Sequence, residues 1–580
     1  MFSIRRIYDT VLPVNRQAIE QVQAILRAQF SGLDRRDIKK LPEQLTNPLK
    51  YRFRSILSVA EDAPGEVKGF ALLLHAPDLN FCYLEYVSAA EQMTGRGIGG
   101  ALYERVRIEA RALGAVGIFM ECLPDDPALC RDPATLAQNR ARLKFYEQYG
   151  ARPIAGTAYE TPVTEGGDNP PYLVFDDLGD GVALGAARAR KIVRAILERK
   201  YAHLCPKAYI DLVVDSFRTD PVPLRAFRYL KREPLPAPAG VVPVDRQIAL
   251  VVNDMHDIHH IRERGYVEAP VRIRSILREI EPTGLFHRIA VRRFAERHLK
   301  RIHAGDFVDY LKAMCQGLPP SKALYPYVFP IRNVARPPKE MAVKAGYFCI
   351  DTFTPLTHNV FLAAKRAADC ALTAARQVLE GQHLAYALVR PPGHHAERRS
   401  FGGFCYFNNA ALAADELSEF GRVAVLDIDY HHGNGTQDIF YKRRDVLTIS
   451  LHGHPRFAYP YFSGFDDETG AEHGLGFNFN LPLPEKLDGP GYRLALARAL
   501  KRIERFNPTF LVIALGLDTA NGDPTGTWSL KGPDFLENGR LLGRLGLPTV
   551  VVQEGGYDSR VLGSNARHFF RGLWEGAFGG

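Results

Sequence analysis

The chain has 580 residues, 46% hydrophobic and 24% charged, with a formal net charge of +9, the balance of an ordinary globular protein. No run of about 18 uncharged apolar residues occurs, which argues against a membrane span, and the opening MFSIRRIYDT lacks an apolar signal core. Eight cysteines stand singly with no C-x-x-C pair, which points away from disulfides and thiolate metal sites and toward a reducing cytoplasm; the basic residues are dispersed, which points away from nucleic acid as a partner.

Length allows roughly three or four domains of about 150 residues, or two larger ones. Residues 1–180 alternate short strands and helices. Within them, LEYVSAAEQMTGRGIGGALYERVRIEARALGA (84–115) reads as strand, glycine turn and helix. Gly95, Gly97 and Gly99 leave backbone N–H groups free at the helix start, where a pyrophosphate is attracted by exposed donors and the helix dipole. GIFMECLP (117–124) follows as a strand and RARLKFYEQYGARPI (140–154) as a helix, and YLVFDDL (172–178) ends the region. Residues 179–205, rich in Ala, Arg, Lys and Leu, read as helical, and PLPAPAGVVPVD (234–245) reads as a linker. The expected division is therefore 1–180, a helical connector and Pro-rich linker over 181–244, and a second domain over 245–580.

IALVVND (248–254) opens that second domain, whose alternating strands and helices predict a parallel sheet covered on both faces. The Pro-rich interval 317–340 is too long for an ordinary loop and predicts a lid or a contact surface. Four buried-strand runs then end in polar residues: LAYALVRPPGHH (384–395), VAVLDIDYHHGNG (423–435), TFLVIALGLD (509–518) and PTVVVQEGGY (548–557). Ligands in open α/β sheets bind beyond the carboxyl ends of strands. Asp427, Asp429 and His431 fall at i, i+2 and i+4, one face of an extended chain. With Asp518 they make an oxygen- and nitrogen-rich set, and two Asp plus one His leave room for reactants on a catalytic zinc. A metal held by Asp429, His431 and Asp518 would polarise a carbonyl and activate water. His394 and His395 would supply base and acid, and Tyr557, on a Gly-Gly turn, a hydrogen bond to the oxyanion.

These segments resemble the zinc histone deacetylase family: RPPGHH, GGFCYFNNAALAA, DIDYHHGNGTQDIFY, SLHG, GLDTANGDP and EGGYD occur here in the family's order. HHGNGTQDIFY, FDDETG and EGGY are closest to bacterial acetylpolyamine amidohydrolases and class II-like enzymes. The resemblance implies an arginase/deacetylase-type α/β fold, Asp429, His431 and Asp518 as zinc ligands, and Asp427 orienting His394. Asn434 stands beside the second histidine where some members have Asp. A structural monovalent cation, K+, is implied at Asp427, Asp429, His431, Ser450 and Leu451. Phe404 and Tyr459 would wall a narrow apolar tunnel. Thr525 takes a rim position where some polyamine-specific relatives have Glu, and 317–340 resembles the segment that narrows the entrance and contacts a second subunit of a homodimer. Asp306 and Asp309 read as a solvated surface pair, the alternative being attraction of a cationic amine.

Residues 1–180 resemble the GNAT acetyltransferases, a mixed α/β domain. Thr94-Gly95-Arg96-Gly97-Ile98-Gly99 stands at their pyrophosphate turn, with Thr94 departing from the usual Arg or Gln. The resemblance implies acetyl-CoA or CoA as cofactor, Val87 pairing the pantetheine arm and Tyr146 as the acid on the thiolate side. Glu85 is the candidate base. Three functions follow: a deacetylase of small acetylated amines fused to an acetyltransferase, a deacetylase of acetyl-lysine in proteins, or a sensor of acyl ligands without turnover. An arginase-like binuclear manganese site would need a further metal-bridging D-x-H-x-D, which the sequence lacks.

Overall fold

The computed structural model describes residues 3–7, 9–30, 34–61, 65–90, 98–163, 170–179, 183–230, 242–261, 266–320, 322–331, 333 and 335–579. It divides into two compact units, Met1–Pro234 and Leu235–Gly580.

The first unit is built on one sheet of β1 (Ser3–Ile7), β2 (Arg54–Glu61), β3 (Val67–Ala76), β4 (Phe81–Ala89), β5 (Ile118–Cys122), β6 (Arg152–Pro153) and β7 (Tyr172–Asp176), in the order β1-β2-β3-β4-β5-β7-β6. Neighbours are antiparallel except β4 and β5, which run parallel and pair only at Cys82–Ile118 and Tyr83–Phe119. Beyond Tyr83 the two strands part. β4 carries one residue more than β3 where Leu72 faces Tyr86 and Leu73 faces Leu84, so Glu85 is the extra residue of a bulge. The bulge lets Tyr83 and Tyr86, three positions apart, pack in one core.

Helices Pro13–Gln29, Ala186–Lys200 and Lys207–Asp215 cover that face of the sheet, while Ile98–Ala112 and Pro133–Glu147 cover the other. The expectation of a connector over 181–244 is corrected here. Ala189, Ile192, Val193, Ile196 and Val213 are buried in the core of the first unit, because the two helices carry apolar stripes that need a sheet to cover. Most of the Pro-rich linker lies outside the described residues.

The second unit holds β8 (Ile248–Val252), β9 (Phe286–Ile289), a short ribbon of β10 (Ala323–Leu324) and β11 (Leu356–Thr357), then β12 (Leu384–Leu388), β13 (Val423–Asp427), β14 (Val446–Gly453), β15 (Asn478–Leu483), β16 (Phe510–Leu515) and β17 (Thr549–Gln553). Its main sheet has the order β15-β14-β13-β16-β17-β12-β8-β9, with every pair parallel. Along β13, Val423 and Val425 pack with helices Val360–Leu379 and Asn409–Ser418, while Ala424 and Leu426 pack with Gly489–Phe506 and Leu562–Phe578. Covering on both faces is what the unbroken apolar runs dictate. All strands of the main sheet therefore end on one side, where the polar termini of the four runs gather. Among the described residues no helix is long and apolar enough to cross a membrane.

Candidate metal centre and its surroundings

Asp427 closes β13, and the chain turns immediately to place Asp429 and His431. Asp429 donates its N–H to Asp427 Oδ1 at 3.0 Å, and His431 donates its own to Asp429 Oδ1 at 2.9 Å. Each of the two carboxylates, Asp429 and Asp518, also has one oxygen held by a backbone N–H from a neighbouring strand end. Gly555 N–H donates to Asp429 Oδ2 at 2.8 Å, and Tyr430 N–H donates to Asp518 Oδ1 at 3.0 Å. The remaining oxygens converge on His431 Nδ1, at 3.2 Å from Asp429 Oδ1 and 3.0 Å from Asp518 Oδ2. Tetrahedral ligands at zinc bond lengths lie about 3.3 Å apart, so this donor set fits that ion. Gly516 and Gly555 permit the approach: a Cβ at either would overlap the Asp429 carboxylate.

The electrostatics agree with a cation site. Burial and the charge of Asp429 push the Asp518 carboxyl up to about 7. Burial opposes charge on His431, yet its contacts with Asp429 and Asp518 carry it up to about 10. Two buried anions in one small volume draw a proton or a metal ion, and a divalent ion satisfies both carboxylates together.

The paired histidines sit differently. His394 Nδ1 lies 2.9 Å from Asp427 Oδ2, and its Nε2 is 3.8 Å from Asp429 Oδ1. His395 Nδ1 lies 2.8 Å from Asn434 Oδ1, and Asn434 Nδ2 donates to Glu397 Oε1 at 3.0 Å. Burial works against charge on both rings. Asp427 and Asp429 outweigh it at His394, raised to about 10, while burial with the neighbouring His394 and His431 keeps His395 far below the usual histidine range.

Tyr557 is held by its backbone: its N–H donates to Asp523 Oδ2 at 2.7 Å. Its ring lies between the Arg272 guanidinium, 4.8 Å away, and the edge of Phe404 at 5.9 Å. Burial keeps the phenol well above its ordinary pKa and so protonated as a donor. Phe404 and Tyr459 are brought together around Phe353, whose ring centroid lies 5.8 Å and 5.6 Å from theirs. Phe404 has a φ of 67°, and its N–H donates to Thr354 Oγ1 at 3.1 Å. Ser450 lies across from Asp427 in the β13–β14 register, its hydroxyl 2.8 Å from His452 Nδ1, and Leu451 is fully buried.

The Thr525 hydroxyl donates to Asp523 Oδ1 at 2.9 Å. Asp306 and Asp309 are exposed and paired with Arg399 and Lys300, in keeping with a solvated surface pair.

Sequence reasoning missed five residues that hold the site together. Phe353 is one. Asp351 accepts from Tyr459 Oη at 3.0 Å and Gly403 N–H at 2.6 Å, tying both walls of the aromatic collar. Asp523 anchors Tyr557. Arg272 donates to the carbonyls of Gly556, at 2.7 Å, and Glu554. Glu554 Oε2 accepts N–H from Gly393 at 2.6 Å and His394 at 3.1 Å. Asp523 and Glu554 lie inside the GLDTANGDP and EGGYD segments, where a buried carboxylate must find donors; the other three stand outside every motif.

In the first unit, Gly95 and Gly97 lie outside the described residues, and Gly99 sits in the first turn of helix Ile98–Ala112. Val87 pairs with Ala71 of β3 on the stretch of β4 that β5 leaves. Tyr146 is buried against Tyr103 and Phe145. Glu85 accepts from Lys200 at 2.7 Å and Gln44 at 2.8 Å. Burial alone would raise its pKa, but Lys200 outweighs it and the carboxyl is held below its ordinary value, which makes Glu85 a poor base.

Residues 266–573 match the family described as histone deacetylase domain, and residues 19–131 the acetyltransferase (GNAT) family. Acetylpolyamine amidohydrolase 2 of Pseudomonas aeruginosa is 38% identical over 336 residues, 56% of this chain and 98% of that protein. The acetylpolyamine amidohydrolase of Burkholderia pseudomallei is 48% identical over 231 residues, 40% of this chain and 68% of its own. A crystal structure of acetylpolyamine aminohydrolase from the same organism superposes with a TM-score of 0.54 at 37% identity, covering 57% of this chain and 99% of that one.

Replacing Glu554 with Ala strands two buried N–H groups, each costing about 1–3 kcal/mol. The urea midpoint of the full chain should fall clearly for Glu554→Ala and much less for Glu554→Gln, which keeps an acceptor; equal midpoints for Glu554→Ala and the parent would contradict the role assigned to this carboxylate.

Proposed function

This chain belongs to the histone deacetylase family, and we propose that its second unit hydrolyses N-acetyl amides of small amines, releasing acetate, with zinc held by Asp429, His431 and Asp518. The observation that carries this reading is the convergence of those three side chains beside His394, His395 and Tyr557 at the ends of β13, β16, β12 and β17. Bound there, zinc would polarise the acetyl carbonyl and make water acidic.

The residues divide the remaining work by their charge. His395 is neutral and faces only an amide at Nδ1, so it takes the proton of the attacking water. His394, held cationic by Asp427, stabilises developing negative charge and gives its proton to the leaving amine, and the proton that His395 took from water then restores it. The Tyr557 phenol donates to the oxyanion, and Arg272 behind its ring favours that anion. A structural K+ is proposed at Asp427, Asp429, His431, Ser450 and Leu451.

Phe353, Phe404 and Tyr459 frame an aromatic collar suited to a methylene chain ending in a cation. That collar and the relatives' substrates support small acetylated amines over acetyl-lysine in proteins. We assign the 317–340 segment, with Tyr327 and Phe329 exposed, to a homodimer contact, and the chain, whose eight cysteines are free and buried, to the cytoplasm. For the first unit we infer acyl transfer from acetyl-CoA, the pantetheine arm lying along β4 at Val87 where β5 departs. The domain division we adopt is an acyl-CoA unit over 1–230 and a deacetylase over 245–580.

Zinc should be found at one equivalent by elemental analysis and be lost from Asp518→Ala. Chelator should abolish acetate release, and zinc should restore it only in the parent; chelator-resistant turnover would remove the metal from the reaction. Across a panel of acetylated putrescine, cadaverine, spermidine and acetyl-lysine peptides, kcat/KM should favour the free amines tenfold or more. A peptide preference would select the protein deacetylase instead.

Asn434→Asp tests the base. A carboxylate beside Nδ1 raises the pKa of His395, and a base works only when neutral. The acidic limb of kcat/KM should therefore move to higher pH, so activity at pH 6 falls more than at pH 8. An unmoved limb would assign the base elsewhere.

A further inference from the structure

We propose that Glu121, in the opening between β4 and β5 of the first unit, binds the ammonium of the acceptor amine. This rests on the acyl-transfer reading above and adds its acceptor class, a linear primary alkylamine or diamine. Three tyrosines wall the place. Tyr159 Oη donates to Glu121 Oε1 at 2.5 Å, Tyr201 Oη donates to Glu121 Oε2, and Tyr83 Oη lies 3.3 Å from Tyr201 Oη. The two phenols fill one acceptor site on each oxygen of Glu121, and the two oxygens of a carboxylate offer about four. Among the described residues no Lys, Arg or His forms an ion pair with Glu121, although neighbouring Glu85 has one.

The same walls already hold one ammonium. Lys200 Nζ lies over the rings of Tyr83, Tyr86 and Tyr201 at 5.1, 5.9 and 5.2 Å and against Glu85 Oε1 at 2.7 Å. Aromatic faces with a carboxylate are the environment that favours an alkylammonium over water. Lys200 satisfies Glu85 and leaves the charge of Glu121 for a second cation. Position supports the assignment. Glu85 is the bulge residue at which β4 leaves β5, two residues before Val87, and Glu121 is on the facing strand. Lys200 and Tyr201 come from the helix that ends at Lys200, beyond the GNAT match at 131, so this chain supplies its own selectivity wall. In the transfer, the bound ammonium loses a proton to solvent and its nitrogen attacks the thioester carbon. The C–S bond breaks as the C–N bond forms, and the thiolate takes the second proton.

The test uses the full chain with Asp518→Ala, which silences the second unit. Equilibrium dialysis with radiolabelled cadaverine is run with and without Glu121→Gln, alongside thiol release from acetyl-CoA. Glu121→Gln should weaken cadaverine binding tenfold or more and raise the amine KM by as much, with the acetyl-CoA KM within twofold and the thermal midpoint unchanged; Glu121→Asp should recover part of the loss. Equal binding in both proteins, or no saturable binding in the Glu121 protein, overturns the proposal. Binding that depends on Glu121 without thiol release keeps the ammonium site and removes the transferase reading. Thiol release that is equal in both keeps the transferase and removes this site.

Discussion

Asp429 has two carboxylate oxygens and uses them differently, and the second unit's chemistry depends on that division. Oδ2 is fixed by the N–H of Gly555 just past β17, and Oδ1, which accepts the His431 N–H, faces the His431 ring. Asp518 repeats the arrangement with the N–H of Tyr430. A carboxylate anchored at one oxygen loses little freedom on binding a metal through the other, which is the way outer partners sharpen a site. The glycines follow from it: the anchoring backbone must come so close that no Cβ fits at 516 or 555.

Sheet order sets the next constraint. β12, which carries the two histidines, is separated from β13 by β17 and β16, about 14 Å at ordinary strand spacing. The loop after β12 must therefore cross the end of β17 to reach Asp427. Glu554 sits on that route and binds two successive N–H groups of the loop. Arg272 fastens the same turn from the other side through the carbonyls of Glu554 and Gly556. The histidine pair and Tyr557 are thus held by one short segment, Glu554 to Tyr557, and a displacement of it would move the proposed donor and base together. Since a misplacement of about 1 Å can cost a hundredfold in rate, these bonds act on chemistry as well as on stability.

Much of this was legible because the site lies at strand ends. Spacing flagged Asp427, Asp429 and His431 as a group, although β13 ends at Asp427 and a turn rather than an extended chain carries the other two, and uninterrupted apolar runs announced a parallel sheet with both faces covered. What was hidden is carried by single residues from remote segments. Asp351, Phe353 and Arg272 precede the first motif by tens of residues, and nothing local distinguishes them from surface polar or core aromatic positions. In the first unit the misreading had another source. Helix Ala186–Lys200 resembles a connector in composition, with its many Arg, Ala and Lys, yet its apolar residues recur with a helical period and bury against the sheet. Glu85 looked like a base because of its strand; the Lys200 that quiets it lies 115 residues away.

The asymmetry of the tandem histidines follows from one substitution between two otherwise similar side chains. Both rings are buried, and both present Nδ1 to a side-chain oxygen at nearly the same distance, 2.9 Å for Asp427 and 2.8 Å for Asn434. Geometry therefore cannot separate them; charge does. A carboxylate stabilises imidazolium in a dry site far more than a neutral amide does. An amide oxygen still fixes the ring and requires the proton on Nδ1, leaving Nε2 as a free base. Once His394 is cationic, its charge further disfavours a proton on His395, 4.0 Å away between ring centres. In the resting site the neighbours thus sort into one cation and one neutral ring, and Asn434 strengthens that order because it orients without charging.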